Sequence, residues 1–370
     1  MSDEEDDVDG ELPATTLAAP RETAALIGHE AAEATLLASY RSGRLPHAWL
    51  VTGPRGVGKA TLAFRFARFL LTQPDGTAAS GLAVAPDHPV YRRVASGGHG
   101  DLLVVERGVD PRTRRQRSAI VVEDTRAVSG FLRMTAAESG WRVVIVDGAD
   151  AMNRNAANGL LKILEEPPQR AVLLLLSDNP GRLLPTIRSR CRHLPLRPLA
   201  DPVIAATLQQ HQPGLSDADR AALARLAGGS IGRALELASA NGLELYTSIF
   251  NLLAQIPKID GEALSSLSDR LARRGAEASF ALFAELLPGW LARMVALAGG
   301  GEGRAVLPGE AQTMRRLVGR RALDQWVDVW ENLTHLLAQA DDLNLDRKQV
   351  VLSAFFAIEA AGRQAAEEKA

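Results

Sequence analysis

The chain has one cysteine, Cys191, in 370 residues. That scarcity excludes an internal disulfide framework and any cysteine-rich zinc site built by one copy. It also fits a reducing compartment, so a cytoplasmic protein is expected. Long apolar runs are missing too: none approaches the ~20 residues that span a bilayer, and no membrane partner is expected. The opening stretch, MSDEEDDVDGELPATT, is acidic where a secretory leader is basic and then apolar. Residues 1–24 read as a disordered acidic tail, with a decoy for basic surfaces as the alternative use. Charge of one sign is scarce as well. The formal net charge is −2, so the chain as a whole is not a polyanion binder, and any contact with nucleic acid is local or shared with partners.

What is present is an ordinary globular balance, 46% hydrophobic and 23% charged, in enough residues for two or three domains. Over residues 25–198 short apolar runs alternate with amphipathic stretches. HAWLVT (47–52), DLLVVE (101–106), RVVIVDGAD (142–150) and AVLLLLS (171–177) read as strands, the last fully apolar and right for a buried one. TLAFRFARFLL (61–71) and NRNAANGLLKILEEPP (153–168) read as helices, the second stopped by Pro167-Pro168. Such alternation predicts an α/β domain with a mostly parallel sheet. Strand signals stop at Pro198. Residues 199–242 hold three short helical patterns, and 243–370 read as an all-helical domain broken near IPKID and GGGEGR. PRTRRQRS (111–118) is a basic run that either meets phosphates or an acidic partner, or is a solvated loop; no aromatic residue is interleaved for base stacking.

The candidate chemistry starts at Gly53, Pro54, Arg55, Gly56, Val57, Gly58, Lys59, Ala60 and Thr61. A G-x₄-G-K string that follows a predicted strand and opens a predicted helix is a phosphate-binding loop. Its glycines let backbone N–H groups approach phosphate oxygens, and Lys59 supplies a charge at the helix N-terminus. The hydroxyl that normally follows the lysine and holds Mg²⁺ is absent. Ala60 has no oxygen, and Thr61 lies roughly 100° further around the helix. Asp147 ends its strand where it can hold Mg²⁺ through water, but the next residue, where a glutamate would orient the attacking water, is Gly148. Two positioning groups missing together predict that the chain does not hydrolyse nucleotide. Asp150 is the candidate substitute, at the far end of a turn.

Four further features are open in the sequence. Glu165 and Glu166 end their helix against its macrodipole, which marks either a contact surface or cheap, screened acids. Arg188, Arg190 and Arg192 crowd the place where a strand restarts; one guanidinium can act as an arginine finger on a phosphate held by a neighbour, or all three can serve surface ion pairs. Cys191, beside them, reads as a packing residue. In GGSIGRALELA (228–238) Ser230 caps the helix that follows. Arg233 falls in that helix's first turn, a place that favours a nearby anion, with a plain surface arginine as the competing reading.

Taken in order, GRLPHAWLVTGPRGVGKAT, IVVEDTR, VVIVDGADAMNRNAANGLLKILEEPP, LPTIRSRC and GGSIGRAL resemble the clamp-loader subunits of bacterial DNA polymerase III, an AAA+ family. The likeness covers residues 27–240 by motif and the remainder by architecture only. It implies a P-loop AAA+ α/β domain, a small three-helix lid domain and an all-α collar for oligomerisation. In that family the ATPase subunits, tau and gamma, keep Ser or Thr after the loop lysine and Glu after the strand aspartate. Ala60 and Gly148 place the chain with the delta-prime branch, which does not hydrolyse; the alternative is an active tau/gamma-like ATPase or a related helicase motor. By resemblance Arg190, of Ser189-Arg190-Cys191, is the arginine finger acting in trans and Arg233 the lid phosphate sensor. Ser177 or Asp178 takes the sensor place after the fourth strand. The implied partners are the tau/gamma and delta subunits, with the sliding clamp and primed DNA reached through the complex. The implied ligand is ATP or ADP held without turnover at Gly53–Thr61, Asp147 and Arg233. One departure stands out. The family commonly carries a four-cysteine zinc module, whereas residues 72–100 contain no cysteine and only His88 and His99 as zinc donors, so no metal is expected.

Overall fold

The computed structural model describes residues 19–72, 80–109, 117–134, 137, 140–301, 304–319, 323–340, 343 and 345–367. Most of the acidic tail and of the basic run at 111–118 lies outside the described residues. The chain divides into two units. The first comprises residues up to Ile204 together with Gly228–Arg233; the second comprises Ala205–Ala227 and Ala234–Ala370.

In the first unit the elements run α1 (Glu30–Arg41), β1 (Ala48–Thr52), α2 (Lys59–Thr72), α3 (Pro89–Ala95), β2 (Leu102–Val105), α4 (Val122–Arg133), β3 (Arg142–Val146), α5 (Arg154–Glu165), β4 (Ala171–Ser177), α6 (Pro185–Arg188) and β5 (Arg192–Pro195). The five strands form one sheet in the order β2-β3-β4-β1-β5, and every pairing is parallel. Parallel strands need crossovers, and helices placed there cover both faces, which is why β4 is apolar at every position up to Ser177. The two-residue period of a strand splits that run between two cores. Val172, Leu174 and Leu176 pack with α1 and α2; Ala171, Leu173 and Leu175 pack with α4 and α5. Each leucine so buried stabilises the fold by about 1.5–3 kcal/mol. Because β4 neighbours β1 in this order, the carboxyl ends of β1, β3 and β4 lie side by side, the place where open α/β sheets put ligands.

Residues 19–24, assigned to the tail from sequence, are tied down. Arg68 on α2 is 1% exposed and donates to the carbonyls of Arg21 and Thr23 at 2.8 Å each, while Tyr91 donates to Glu22 O at 2.6 Å. Burial lowers the Arg68 pKa, and those carbonyls together with the Tyr91 ring, 4.4 Å from the guanidinium carbon, compensate the dehydrated charge. The acidic character of the first residues therefore does not extend the tail to residue 24.

After β5 the chain continues through α7 (Asp201–His211), α8 (Asp217–Leu226), α9 (Ile231–Ser239), α10 (Gly242–Ala254), α11 (Gly261–Ala272), α12 (Glu277–Ala298), α13 (Glu310–Val318), α14 (Leu323–Gln339) and α15 (Arg347–Glu367). The breaks after α10 and α12 fall where the sequence places them. In the second unit Phe280, Phe283 and Trp290 of α12 and Trp326 of α14 are buried, and the rings of Phe283 and Phe355 lie 6.2 Å apart. At 22 residues, with a mean hydropathy of 1.5 over its most apolar stretch, α12 is long and apolar enough to cross a membrane by length and composition. No uncharged stretch within it is longer than seven residues, because Glu285 and Arg293 interrupt it. Half of its most apolar stretch is buried within the protein.

A polar knot sits inside this unit. Glu310, 0% exposed, accepts from the Tyr246 hydroxyl and from the N–H groups of Val306 and Leu307, and faces Arg293 at 3.4 Å. Arg225 of α8 donates to Val306 O at 2.9 Å, so the same short segment joins α8 to the helices that follow.

Candidate phosphate-loop site

The loop from Gly53 to Gly58 joins the central strand β1 to the first turn of α2. Gly56 has a φ of +72°, and its carbonyl accepts from Gly232 N–H at 3.0 Å. A Cβ at Gly56 would lie 2.5 Å from Ser230 Oγ. The two glycine-rich motifs, 53–58 and 228–233, are thus packed backbone to backbone. Ser230, 2% exposed, accepts from Arg233 N–H at 3.1 Å and caps α9 as its sequence position implies. The structure brings the start of Arg233's helix to the loop, although the two are far apart in sequence. His29, missed by sequence reading, supports the loop from below, its Nε2 2.8 Å from Val57 O.

Lys59 is 7% exposed and turns inward. Its ammonium donates to Gly53 O and Pro54 O at 2.8 Å each and pairs with Asp178 Oδ1 at 2.5 Å. Ala60 packs against the apolar core between α2 and the sheet. Asp147 stands at the end of β3. Dehydration raises its carboxyl pKa above the usual range; Lys59 works against that rise, Glu106 and Asp178 add to it, and Arg107 lowers it. Gly148 has φ +77° and ψ +46°, a left-handed conformation, and open space where a Cβ would go. Asp150, the candidate substitute for the missing glutamate, is engaged with the backbone after β4. Its two oxygens accept the backbone N–H groups of Asp178 and Asn179 at 3.2 and 3.3 Å, fastening the end of β4 to the turn after β3. Of the two sensor candidates, Asp178 is the one that reaches Lys59; the Ser177 hydroxyl is buried with no hydrogen-bond partner among the described residues.

Gly53, Gly56 and Gly58 all have positive φ, the backbone that a phosphate-binding turn needs, while the spaces beside Gly53 and Gly56 are taken by Leu196 and Ser230. Lys59 fits a phosphate only after exchanging a partner, because its three donors are already taken. His88 caps α3, accepting from Val90 N–H at 3.1 Å, and His99 accepts from Asp101 N–H at 3.1 Å; both act as local backbone partners. Among the described residues no group of three or more His, Cys, Asp or Glu side chains is placed to hold a metal ion.

Arg190 lies beyond the loop site, after α6. Its guanidinium is partly exposed and pairs with Glu165 Oε1 at 2.7 Å while donating to Thr186 O at 3.0 Å. The acid at the end of α5 that offends the helix dipole therefore has a cation, and the two motifs around Glu165 and Arg190 form one surface. Arg192 instead sits over Trp49, 5.3 Å from the ring centroid. Cys191 is buried among the α4–α5 core, and burial pushes its thiol pKa up to about 12, the behaviour of a packing residue.

Residues 28–200 match the family model of the DNA polymerase III delta subunit. Among curated proteins, the delta-prime subunit of Pseudomonas aeruginosa is 44% identical over 146 residues, 39% of this chain and 41% of that protein. The delta-prime subunit of Escherichia coli K12 is 34% identical over 237 residues, 62% of this chain and 66% of that subunit. The gamma/tau subunit of Mycobacterium bovis is 30% identical over 283 residues, 73% of this chain and 46% of that protein. The chain thus spans about two fifths of the length of the first of these relatives.

Proposed function

We propose that the chain, whose residues 28–200 match the family model of the DNA polymerase III delta subunit, is a delta-prime-type stator of the clamp loader: a subunit that does not hydrolyse nucleotide itself and supplies Arg190 to the ATP site of a neighbouring tau/gamma subunit. One observation carries the reading. The phosphate loop keeps its glycines and Lys59, yet position 60 carries a methyl group packed into the core and position 148 carries no side chain. Phosphoryl transfer relies on held metal and oriented water. On this reading a bound nucleotide brings phosphate charge to the loop N–H groups and to Lys59 and Arg233, with Lys59 exchanging one of its present partners for it. Nothing at 60 or 148 then grips the metal or aims the water.

The work of the chain is then positional. The α5 end and the Ser189-Arg190-Cys191 turn hold a guanidinium at the surface, and α10–α15 form the collar through which tau/gamma and delta subunits assemble around it. The sliding clamp and primed DNA are reached through that assembly. In a complex reconstituted with its ATPase and delta partners, Arg190→Ala is expected to leave assembly intact and to lower ATP turnover and clamp loading by tenfold or more, as removal of an arginine finger does. Unchanged turnover removes the assignment of Arg190.

A second reading, an active tau/gamma-like ATPase, is favoured by the similarity to the gamma/tau subunit and by Asp147 lying in the field of Lys59. Steady-state hydrolysis by the chain alone, measured against Lys59→Ala, separates the two. Turnover that disappears with Lys59 makes the chain a motor.

A further inference from the structure

The charge that a nucleotide would bring to the loop is already supplied from within. An ammonium has three donors and no acceptor. Lys59 spends all three, on Gly53 O, Pro54 O and Asp178 Oδ1. The two carbonyls belong to the loop itself and carry only partial charge. Asp178 is the partner with a full negative charge, and it lies closest, at 2.5 Å. A phosphate oxygen seeking Lys59 competes with it directly. The competitor is also well anchored. Asp150 holds the N–H groups of Asp178 and Asn179, and Ser177, just before, pairs in register with Thr52 at the mouth of the loop. Asp147 places a second carboxylate near the same ammonium. The Asp178 carboxylate thus meets the Lys59 charge before any phosphate arrives, and like charge opposes a polyphosphate.

We propose that Asp178 is a built-in anion of the phosphate loop: it takes the place of a nucleotide phosphate on Lys59 and sets how weakly this chain holds ATP or ADP. The proposal rests on the reading of residues 53–61 as a phosphate loop and is independent of Arg190. Asp178 is half exposed, so its carboxylate has solvent to swing into when a nucleotide displaces it. The loop is therefore gated by one side chain and can be released by changing it.

The test is nucleotide binding by the full chain, followed by titration calorimetry with ATP and with ADP, with and without Mg²⁺. The variants are Asp178→Asn and Asp178→Ser, each also combined with Lys59→Ala. Asparagine keeps the shape and the backbone N–H that Asp150 holds while removing the charge; serine removes charge and bulk together, so one variant covers the other if folding is impaired. Each variant is expected to bind ATP at least tenfold more tightly than the natural chain, about 1.4 kcal/mol, and to lose that gain with Lys59→Ala. Affinity that is unchanged, weaker or undetectable at millimolar nucleotide in the folded variants overturns the proposal, as does a gain that survives Lys59→Ala. Turnover assayed in the same samples keeps the two readings apart. Tighter binding without hydrolysis supports both. Tighter binding with hydrolysis upholds the role of Asp178 and removes the hydrolysis-deficient assignment. No gain in affinity removes the role of Asp178 and leaves the stator reading standing.

Discussion

Replacing Gly56 by alanine adds one methyl group at the point where the loop meets the 228–233 motif, and the structure gives the cost of that methyl. At φ +72° the backbone is left-handed, which costs alanine about 1 kcal/mol relative to glycine. The new Cβ would also stand 2.5 Å from Ser230 Oγ and 3.1 Å from Arg233 N. Ser230 cannot retreat without giving up its bond to Arg233 N–H, the cap of α9, worth another ~1 kcal/mol. If the backbone moves instead, the 3.0 Å bond from Gly232 N–H to Gly56 O stretches, at a cost of about 1 kcal/mol. Gly56→Ala is therefore expected to destabilise the first unit by about 2–4 kcal/mol. Urea unfolding of the full chain, with amide hydrogen exchange in β1 and β4 as the local reporter, measures it. The decisive comparison is a double-mutant cycle. Ser230→Gly alone should cost a few tenths of a kcal/mol, roughly what the loss of a cap to glycine costs. In its presence Gly56→Ala should recover at least ~1 kcal/mol relative to the sum of the two single changes. Additive single effects, or a Gly56→Ala cost below about 0.5 kcal/mol, would refute the claim that this close approach is what the glycine provides.

Glu165→Gln should change stability by less than ~1 kcal/mol, because the pair with Arg190 is partly solvated, and should speed labelling of Arg190 by phenylglyoxal, read by mass spectrometry. The Cys191 thiol stays protonated in the folded chain to about pH 12, whereas in the unfolded chain it ionises near 9.0. The folded state holds the extra proton between those values, so stability should fall as pH rises through that window, by ~1.4 kcal/mol per unit. Urea titrations from pH 8 to 11 should show that slope, and Cys191→Ala should remove it between pH 9 and 10, above which the buried Tyr246, its pKa also raised by burial, adds a slope of the same sign. Glu310→Ala leaves the Tyr246 hydroxyl and the Val306 and Leu307 N–H groups without their acceptor and Arg293 without its carboxylate, and should cost the second unit ~3–5 kcal/mol in the same unfolding assay.

How much of this was legible in the sequence depends on how far apart the interacting residues stand. The strands were readable because each is an uninterrupted apolar run, and the loop because strand, glycines and lysine are contiguous. The lack of a hydroxyl at Ala60 and of a carboxylate at Gly148 needed only the identity of one residue each. The pairs that define the site were not readable. Lys59 meets Asp178 because β4 inserts beside β1, and nothing in either segment states the strand order. Asp150 offered itself as a candidate base by its position after β3, while its partners, two N–H groups after β4, carry no sequence signature. A faint signal did exist for Glu165: an acid at the wrong end of a helix asks for a cation, and Arg190 answers it across two intervening elements. Arg65 and Arg68 gave a similar hint, as two charges on a largely apolar helical stretch, and the partners of Arg68 are backbone carbonyls of the segment read as tail.

The loop's survival without its catalytic companions also has a physical cause inside the fold. A Cβ at Gly53 would lie 2.6 Å from Leu196 O, at the end of the sheet, and one at Gly56 would strike Ser230, so these glycines are required by packing before any ligand is considered. Lys59 is required too, since its ammonium ties two loop carbonyls to the end of β4. The two missing groups sit where the framework is indifferent to them or opposed. Ala60, partly buried, packs against the core beside α2. Gly148 has room for a side chain but a left-handed backbone, which costs a glutamate ~1 kcal/mol before it touches water. If the chain does not hydrolyse nucleotide, as proposed above, threonine and glutamate at these two positions are not expected by themselves to confer turnover, because Lys59 would still pair with Asp178 and the turn after β3 would still have a left-handed backbone at 148.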